Sequence, residues 1–238
     1  LVGLAGTLFF SRAQVLDEAS QLENEIKAKT DNNLATGFME IIKKDRYFRR
    51  YQYSMFTAGF GNMLIEAPLV FLVTRQLEAS YTTSIMITMV IPFAVSLVAL
   101  PIWALYLDRV HVAQFRARQS ILWVVAQLLT LVGAYFGSIA WLIVGRFVMG
   151  IARGGGSLAW QLGHNDFAKP DQLSAYMGIH VTLTGVRGAI APFLGMSLYI
   201  GIPTLGWSGI GVSVFLIAAI VSACAGVGFY RLYITLQR

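Results

Sequence analysis

The chain has 238 residues, 56% hydrophobic and 13% charged, with 23 Gly, a net charge of +6 and a mean hydropathy of +0.64. Residues 1–50 hold 15 of the 30 charged side chains, which leaves the other 188 residues with about one charge in twelve, against roughly a quarter charged in a soluble domain. Such a chain cannot cover a globular core with solvated surface, and with one cysteine, Cys224, the composition argues against an ordinary soluble enzyme, a disulfide scaffold or a disordered chain.

Leu1–Phe10 is apolar but too short to cross a bilayer, and with no initiator Met or basic leader it reads as the tail of an earlier span rather than a signal peptide. Residues 11–50 form a polar linker. In it Val15, Leu16, Ala19, Leu22 and Ile26 recur at helical spacing among acidic and basic residues, predicting a short amphipathic helix that Thr30-Asp31-Asn32-Asn33 ends. A second segment, Phe38–Arg50, mixes apolar with basic residues and is expected at the membrane surface, leading into the first span.

Residues 51–238 then divide into six expected spans, Tyr51–Thr74, Ser80–Leu107, Gln119–Gly137, Ile139–Gln161, Ser174–Ile200 and Gly209–Tyr230. Residues 79–107, 119–145 and 188–230 contain no Asp, Glu, Lys or Arg, and a span needs about 20 predominantly apolar residues. Without period-two alternation the reading is helical, not a β-barrel. Of the 18 Lys and Arg, 14 fall on one side of this arrangement and only Arg75 on the other. The positive-inside rule then puts the linker, the two longer loops and the C-terminus in the cytoplasm, with a bacterial inner (plasma) membrane as the expected location. Basic groups scattered over short loops make no nucleic-acid-binding stripe.

Four charged groups fall inside spans: Glu66, Arg146, Arg153 and Arg187. Each is costly in hydrocarbon unless paired or hydrated, which makes each a functional candidate. Their net positive charge suits an anionic substrate or anionic groups from elsewhere in the protein. Glu66 follows Asn62 by one turn, so the two are expected on one face. Glu66 is either a proton-coupling or substrate-contacting carboxylate, or half of a fixed ion pair with Arg146. Pro68 is expected to kink its helix. Arg146 and Arg153, seven apart, share a face with Ser157, Gln161 and His164, although Arg153 could also snorkel. Tyr176, His180, Thr184 and Arg187 form a second stripe, in which His180 is an interhelical hydrogen-bonding group or a proton relay. Gly154-Gly155-Gly156 is no phosphate loop, His164-Asn165-Asp166 has poor metal-ligand spacing, and no nucleophile motif stands out. Neither a cofactor nor a metal is therefore expected, and an enzyme is not the reading.

Several segments resemble motifs of the major facilitator superfamily. Lys43-Lys44-Asp45-Arg46-Tyr47-Phe48-Arg49-Arg50 resembles the basic–aromatic lead-in to that family's seventh span. Asp108-Arg109 with Arg116 and Arg118 resembles its cytoplasmic loop motif, with Ala104 and His111 standing at the family's Gly positions. Gly145-Arg146-Phe147-Val148-Met149-Gly150-Ile151 resembles the Arg-containing motif, and Gly185 to Gly195 with Ala191-Pro192-Phe193-Leu194-Gly195 resembles the Gly-Pro motif. The resemblance implies the C-terminal six-helix half of a secondary transporter, built as two inverted three-helix repeats. It further implies alternating access, a small-molecule substrate, proton or solute coupling, and a partner half supplied upstream or by another chain. Glu66, Asn62, Arg146, Arg153, His180 and Arg187 become substrate or coupling candidates. Asp108, Arg109, Arg116 and Arg118 become a gating latch, unless they serve topology and lipid contact alone. The rival expectation is a transport-inactive subunit of the same fold with a structural or assembly role in a larger membrane complex.

Overall fold

The computed structural model describes residues 34–238, which fall into two units divided after Lys44. The apolar stub 1–10 and the amphipathic stretch around 15–26 lie outside the described residues. In the first unit, α1 (Leu34–Lys44) ends on Lys43 and Lys44, where cations complement the helix dipole. Phe38, Ile41 and Ile42 are half-buried, while Met39, Glu40, Lys43 and Lys44 are exposed. Lys44 donates to Glu40 one turn away and holds its carboxyl below the usual range.

The second unit, Asp45–Arg238, contains six helices long and apolar enough to cross a bilayer, the mark of an integral membrane protein. They are α2 (Arg46–Gln76), α3 (Tyr81–Leu107), α4 (Val112–Tyr135), α5 (Ile139–Leu162), α6 (Pro170–Ile200) and α7 (Ser213–Leu236). The described residues contain no β-strand beyond one isolated bridge, Ile202 to Trp207. The surface segment expected over Phe38–Arg50 is divided at Asp45, whose carboxylate caps α2 by accepting the Phe48 N–H at 2.8 Å.

Several helix starts differ from the sequence reading, with α2 beginning at Arg46 rather than Tyr51 and α6 at Pro170 rather than Ser174; two others have distinct local causes. Helix α4 begins at Val112, not Gln119, because tertiary groups cap it. His111 Nδ1 accepts the Ala113 N–H at 3.1 Å, and Asp166, from the connection after α5, accepts the Val112 N–H at 2.6 Å. Helix α7 begins at Ser213 because residues 201–212 close a compact turn in which Gly201, Gly206, Gly209 and Gly211 all have positive φ. A Cβ at Gly201 would also strike the Trp207 carbonyl, so that turn requires glycine.

The helices pack in a series: α3 on α5, α5 on α4, α4 on α7, α7 on α2, and α2 on α6. At one end of the bundle Gly137 lies beside Leu77, and the Tyr199 hydroxyl donates to Gln76 Oε1 at 2.5 Å. That end therefore holds the α2–α3, α4–α5 and α6–α7 turns. At the other end the Tyr176 hydroxyl donates to Asp45 at 2.9 Å, and Tyr51 packs on Phe167 and Phe229. A core of Leu64, Ile65, Leu69, Leu72, Val73, Leu142 and Phe215 fills the turn end. Outer positions such as Val98, Ile102, Ile121 and Phe193 are apolar and exposed, as a lipid-facing surface requires.

Two helices are irregular where polar groups need them to be. Helix α2 is interrupted at Ile65. Pro68 has no N–H to give to the Leu64 carbonyl one turn back, and Gly195 of α6 lies against that carbonyl, where any Cβ would collide. Helix α3 contains a π turn, Met86–Val90, and Pro92 just after it has no N–H to give to the Ile87 or Thr88 carbonyl.

Candidate functional site

Two polar clusters lie toward opposite ends of the bundle. The first is centred on Arg146, which is completely buried. Its Nε donates to the Ile87 carbonyl at 3.2 Å, and Nη2 donates to the Thr88 carbonyl at 3.0 Å; both acceptors belong to the π turn of α3. Nη1 and Nη2 donate to the two oxygens of Glu66, each at 3.3 Å, in a bidentate pair. The Glu66 side chain is 44% exposed, so the carboxylate closes the guanidinium's cage from an accessible face.

Asn62 does not join Glu66. It points into the bundle, where its Oδ1 accepts from Gln127 of α4 at 2.9 Å. The two side chains, on either side of the Ile65 interruption, take different partners. Arg146 and Arg153 share a face of α5 but not an environment, because Arg153 is exposed. The two lie at similar angles on α5, but only Arg146 sits beneath the π turn. Ser157 bonds back to the Gly154 carbonyl, Gln161 is exposed and His164 is buried, so that stripe has no common environment. Arg153 lies only about 4 Å along the axis from the middle of α5, a depth at which an exposed guanidinium needs water or protein beside it.

The second cluster is built by the α6 stripe, and here the expected periodicity holds. Tyr176 bonds Asp45 and packs at a tilt against Phe48 with ring centroids 4.3 Å apart. His180 Nδ1 shares a 2.9 Å hydrogen bond with Gln52 Oε1. Thr184 accepts from Trp160 Nε1 of α5 at 3.2 Å. Arg187 Nη1 donates to the Met55 carbonyl of α2 at 2.6 Å. Gly59 makes this last bond possible, since a Cβ there would land on the guanidinium. Gly185 and Gly188, which flank Arg187, are not the close-approach glycines: a Cβ at Gly185 would meet nothing within 4 Å.

The four residues expected to form a loop latch separate into two kinds. Asp108 and Arg109 are exposed at the end of α3 and make no ion pair among the described residues. Arg116 and Arg118 are not in a loop; they occupy the first two turns of α4. Arg118 donates to the Tyr106 hydroxyl at 2.7 Å. Arg116 is buried, donates to Gln119 Oε1 at 2.7 Å and lies over the Phe229 ring at 5.3 Å. Gln119 in turn donates to the Ala152 carbonyl at 2.6 Å, tying α4 to α5. His111 takes no glycine-like backbone, and burial holds its imidazole, like that of His164, below the usual histidine range, with Asp166 partly offsetting this at His111.

Gln52, Gly59, Gln127, Trp160 and the carbonyls of Ile87 and Thr88 escaped the sequence reading. The amides were findable, because a glutamine inside an apolar span raises the same question as a charge does. The glycine and the carbonyls were not, because their roles depend on which helices become neighbours. No group of three or more metal-ligating side chains occurs among the described residues. Comparison with protein-family models, with curated proteins and with solved structures returned no significant match.

Proposed function

We propose that this chain is the C-terminal six-helix half of a secondary transporter of major facilitator type, moving a small solute by alternating access. The observation that carries the reading is the half-exposed Glu66 carboxylate bonded to the fully buried Arg146 within a membrane-spanning bundle. Helices α2 and α5 share no broad packed interface. Side-chain bonds tie them instead: Glu66 to Arg146 toward one end, and the Tyr51 hydroxyl to the Ala159 carbonyl at the other. Protonating Glu66 from its accessible side removes the charge from the first tie, while Arg146 keeps its two α3 carbonyls. Proton occupancy is in this way linked to the relative movement of α2 and α5.

The packing order supports the repeat reading. Exchanging α2, α3 and α4 for α5, α6 and α7 returns the same five interfaces, and an odd number of helices per repeat inverts the second copy across the membrane. Arg75 lies at the turn end, while Arg46, Arg109, Lys169, Arg231 and Arg238 lie at or beyond the other, which supports a cytoplasmic assignment for that second end. Exposed Arg153 and half-exposed Glu66 support an aqueous cavity or a partner half on the faces that carry them.

The test uses the full-length gene product in proteoliposomes with a pH-sensitive dye in the lumen and a panel of small carboxylates and phosphates. Transport predicts solute-dependent proton movement that Glu66→Gln abolishes. A fixed structural pair predicts instead that Glu66→Gln lowers folded protein, that Arg146→Gln restores it, and that the double variant transports normally. Absence of flux from wild type, with the chain held in a stable stoichiometric complex, favours the assembly-subunit reading.

A further inference from the structure

Arg187 and Arg116 are each more than nine-tenths buried, and neither has a carboxylate within ion-pair distance among the described residues. They lie close enough to repel one another. The nearest acid along the α6 stripe is Asp45, already engaged by the Phe48 N–H and the Tyr176 hydroxyl. A buried guanidinium without a counter-ion is costly, and among the described residues Arg187 has one hydrogen bond to offset this. Among the described residues its Nε has no partner, nor have Gln52 Nε2 and His180 Nε2; Gln52 and His180 are 4% and 2% exposed.

These groups lie where α2 and α6 face one another. Helix α6 packs on α2 and shares no broad interface with α5, which leaves a cleft between α5 and α6. At Gly59 the Arg187 guanidinium fills the space that a side chain would take. The Trp160–Thr184 hydrogen bond spans the cleft from α5 to α6, with the indole 5.3 Å from the His180 ring.

We propose that this cleft binds a small oxyanion, a carboxylate or a phosphate, gripped by Arg187 with Gln52 and His180 and closed over by the Trp160–Thr184 bond. A planar guanidinium with free donors suits a two-oxygen acceptor, and the anion supplies the charge that Arg187 and Arg116 lack. The inference rests on the transport reading only in taking this anion as the solute; binding itself is measured independently.

The experiment is a thermal melt of the purified full-length protein in which chloride is replaced by inorganic phosphate or by succinate at constant ionic strength. The expected result is a saturable rise in Tm with at least one of the two. The apparent affinity should fall about tenfold to a hundredfold in Arg187→Gln, as loss of a charge-assisted contact predicts. Gln52→Leu removes an orphaned donor without touching a charge. It should weaken binding in the same direction and keeps the test open should Arg187→Gln not fold. No anion-specific rise, or a rise undiminished in the variants, overturns the proposal. If a carboxylate of another protein segment fills the cleft instead, the melt ignores added anions while Arg187→Gln lowers Tm, which also overturns it. Anion binding without solute-driven proton movement leaves this site standing and removes the transport reading; proton movement without an anion effect does the reverse.

Discussion

Arg146 and Arg187 are two buried guanidiniums in one bundle, and they are neutralised differently. Arg146 has a bidentate carboxylate and two backbone carbonyls, all supplied by the chain itself. Arg187 has one carbonyl, an unpartnered Nε and a second buried arginine nearby. The backbone explains part of the difference. At Arg146 the π turn of α3 and the Pro92 that follows it leave two carbonyls to accept, whereas at Arg187 the chain offers only the regular part of α2 before Ile65, approached closely because residue 59 is glycine. One arginine is a structural tie whose carboxylate reaches an accessible face. The other is held in position with donors to spare.

The comparison can be broken from either side. The largest effect is expected at Glu66→Leu, which leaves Arg146 buried without a counter-charge. A loss of about 2–3 kcal/mol is expected, less than for a fully buried pair because Glu66 reaches solvent. A thermal melt should show it, with much of the loss recovered when Arg146→Leu is added. Next comes Gly59→Ala, whose new methyl displaces the Arg187 guanidinium from Met55. We expect about 1–3 kcal/mol of destabilisation by overpacking, together with weakened anion response. An unchanged melt would show that Arg187 is not seated on α2.

Breaking the Asn62–Gln127 bond by Gln127→Leu should cost only about 1 kcal/mol. This pair links α2 to α4 and belongs to neither arginine, so proton coupling and anion response should both survive. The smallest expected effect is at the connections. His111 and His164 have folded-state pKa values below the ordinary one, so their contribution is complete at neutral pH. It is lost as pH falls through the ordinary histidine value toward the lowered one. Under about 1 kcal/mol should disappear between pH 7 and pH 5. His111→Asn keeps a capping side chain and should flatten part of that slope.

The helical architecture was legible because three long charge-free runs and the short polar connections between them can only be spans and turns. Boundaries failed where a distant side chain decides them. Asp166 caps α4 from the connection after α5, which places Arg116 and Arg118 inside a helix that local sequence starts later. Single charges in apolar runs were conspicuous, so Glu66, Arg146 and Arg187 stood out at once. Which of them would be satisfied was not legible. That depends on a π turn at Met86–Val90 and a glycine on another helix, neither of which has a one-dimensional signature at the arginine it serves. Heptad spacing likewise put Arg146 and Arg153 on one face but could not show that only one lies under α3.

The most direct measurement is the anion-dependent melt run in parallel on Arg146→Lys and Arg187→Lys. Each keeps its charge and loses the planar fork. The account predicts that Arg146→Lys lowers Tm without anion yet keeps the wild-type anion response, whereas Arg187→Lys keeps Tm near wild type and loses most of the response to phosphate or succinate. Equal anion responses in the two variants, or loss of the response in Arg146→Lys alone, would contradict it.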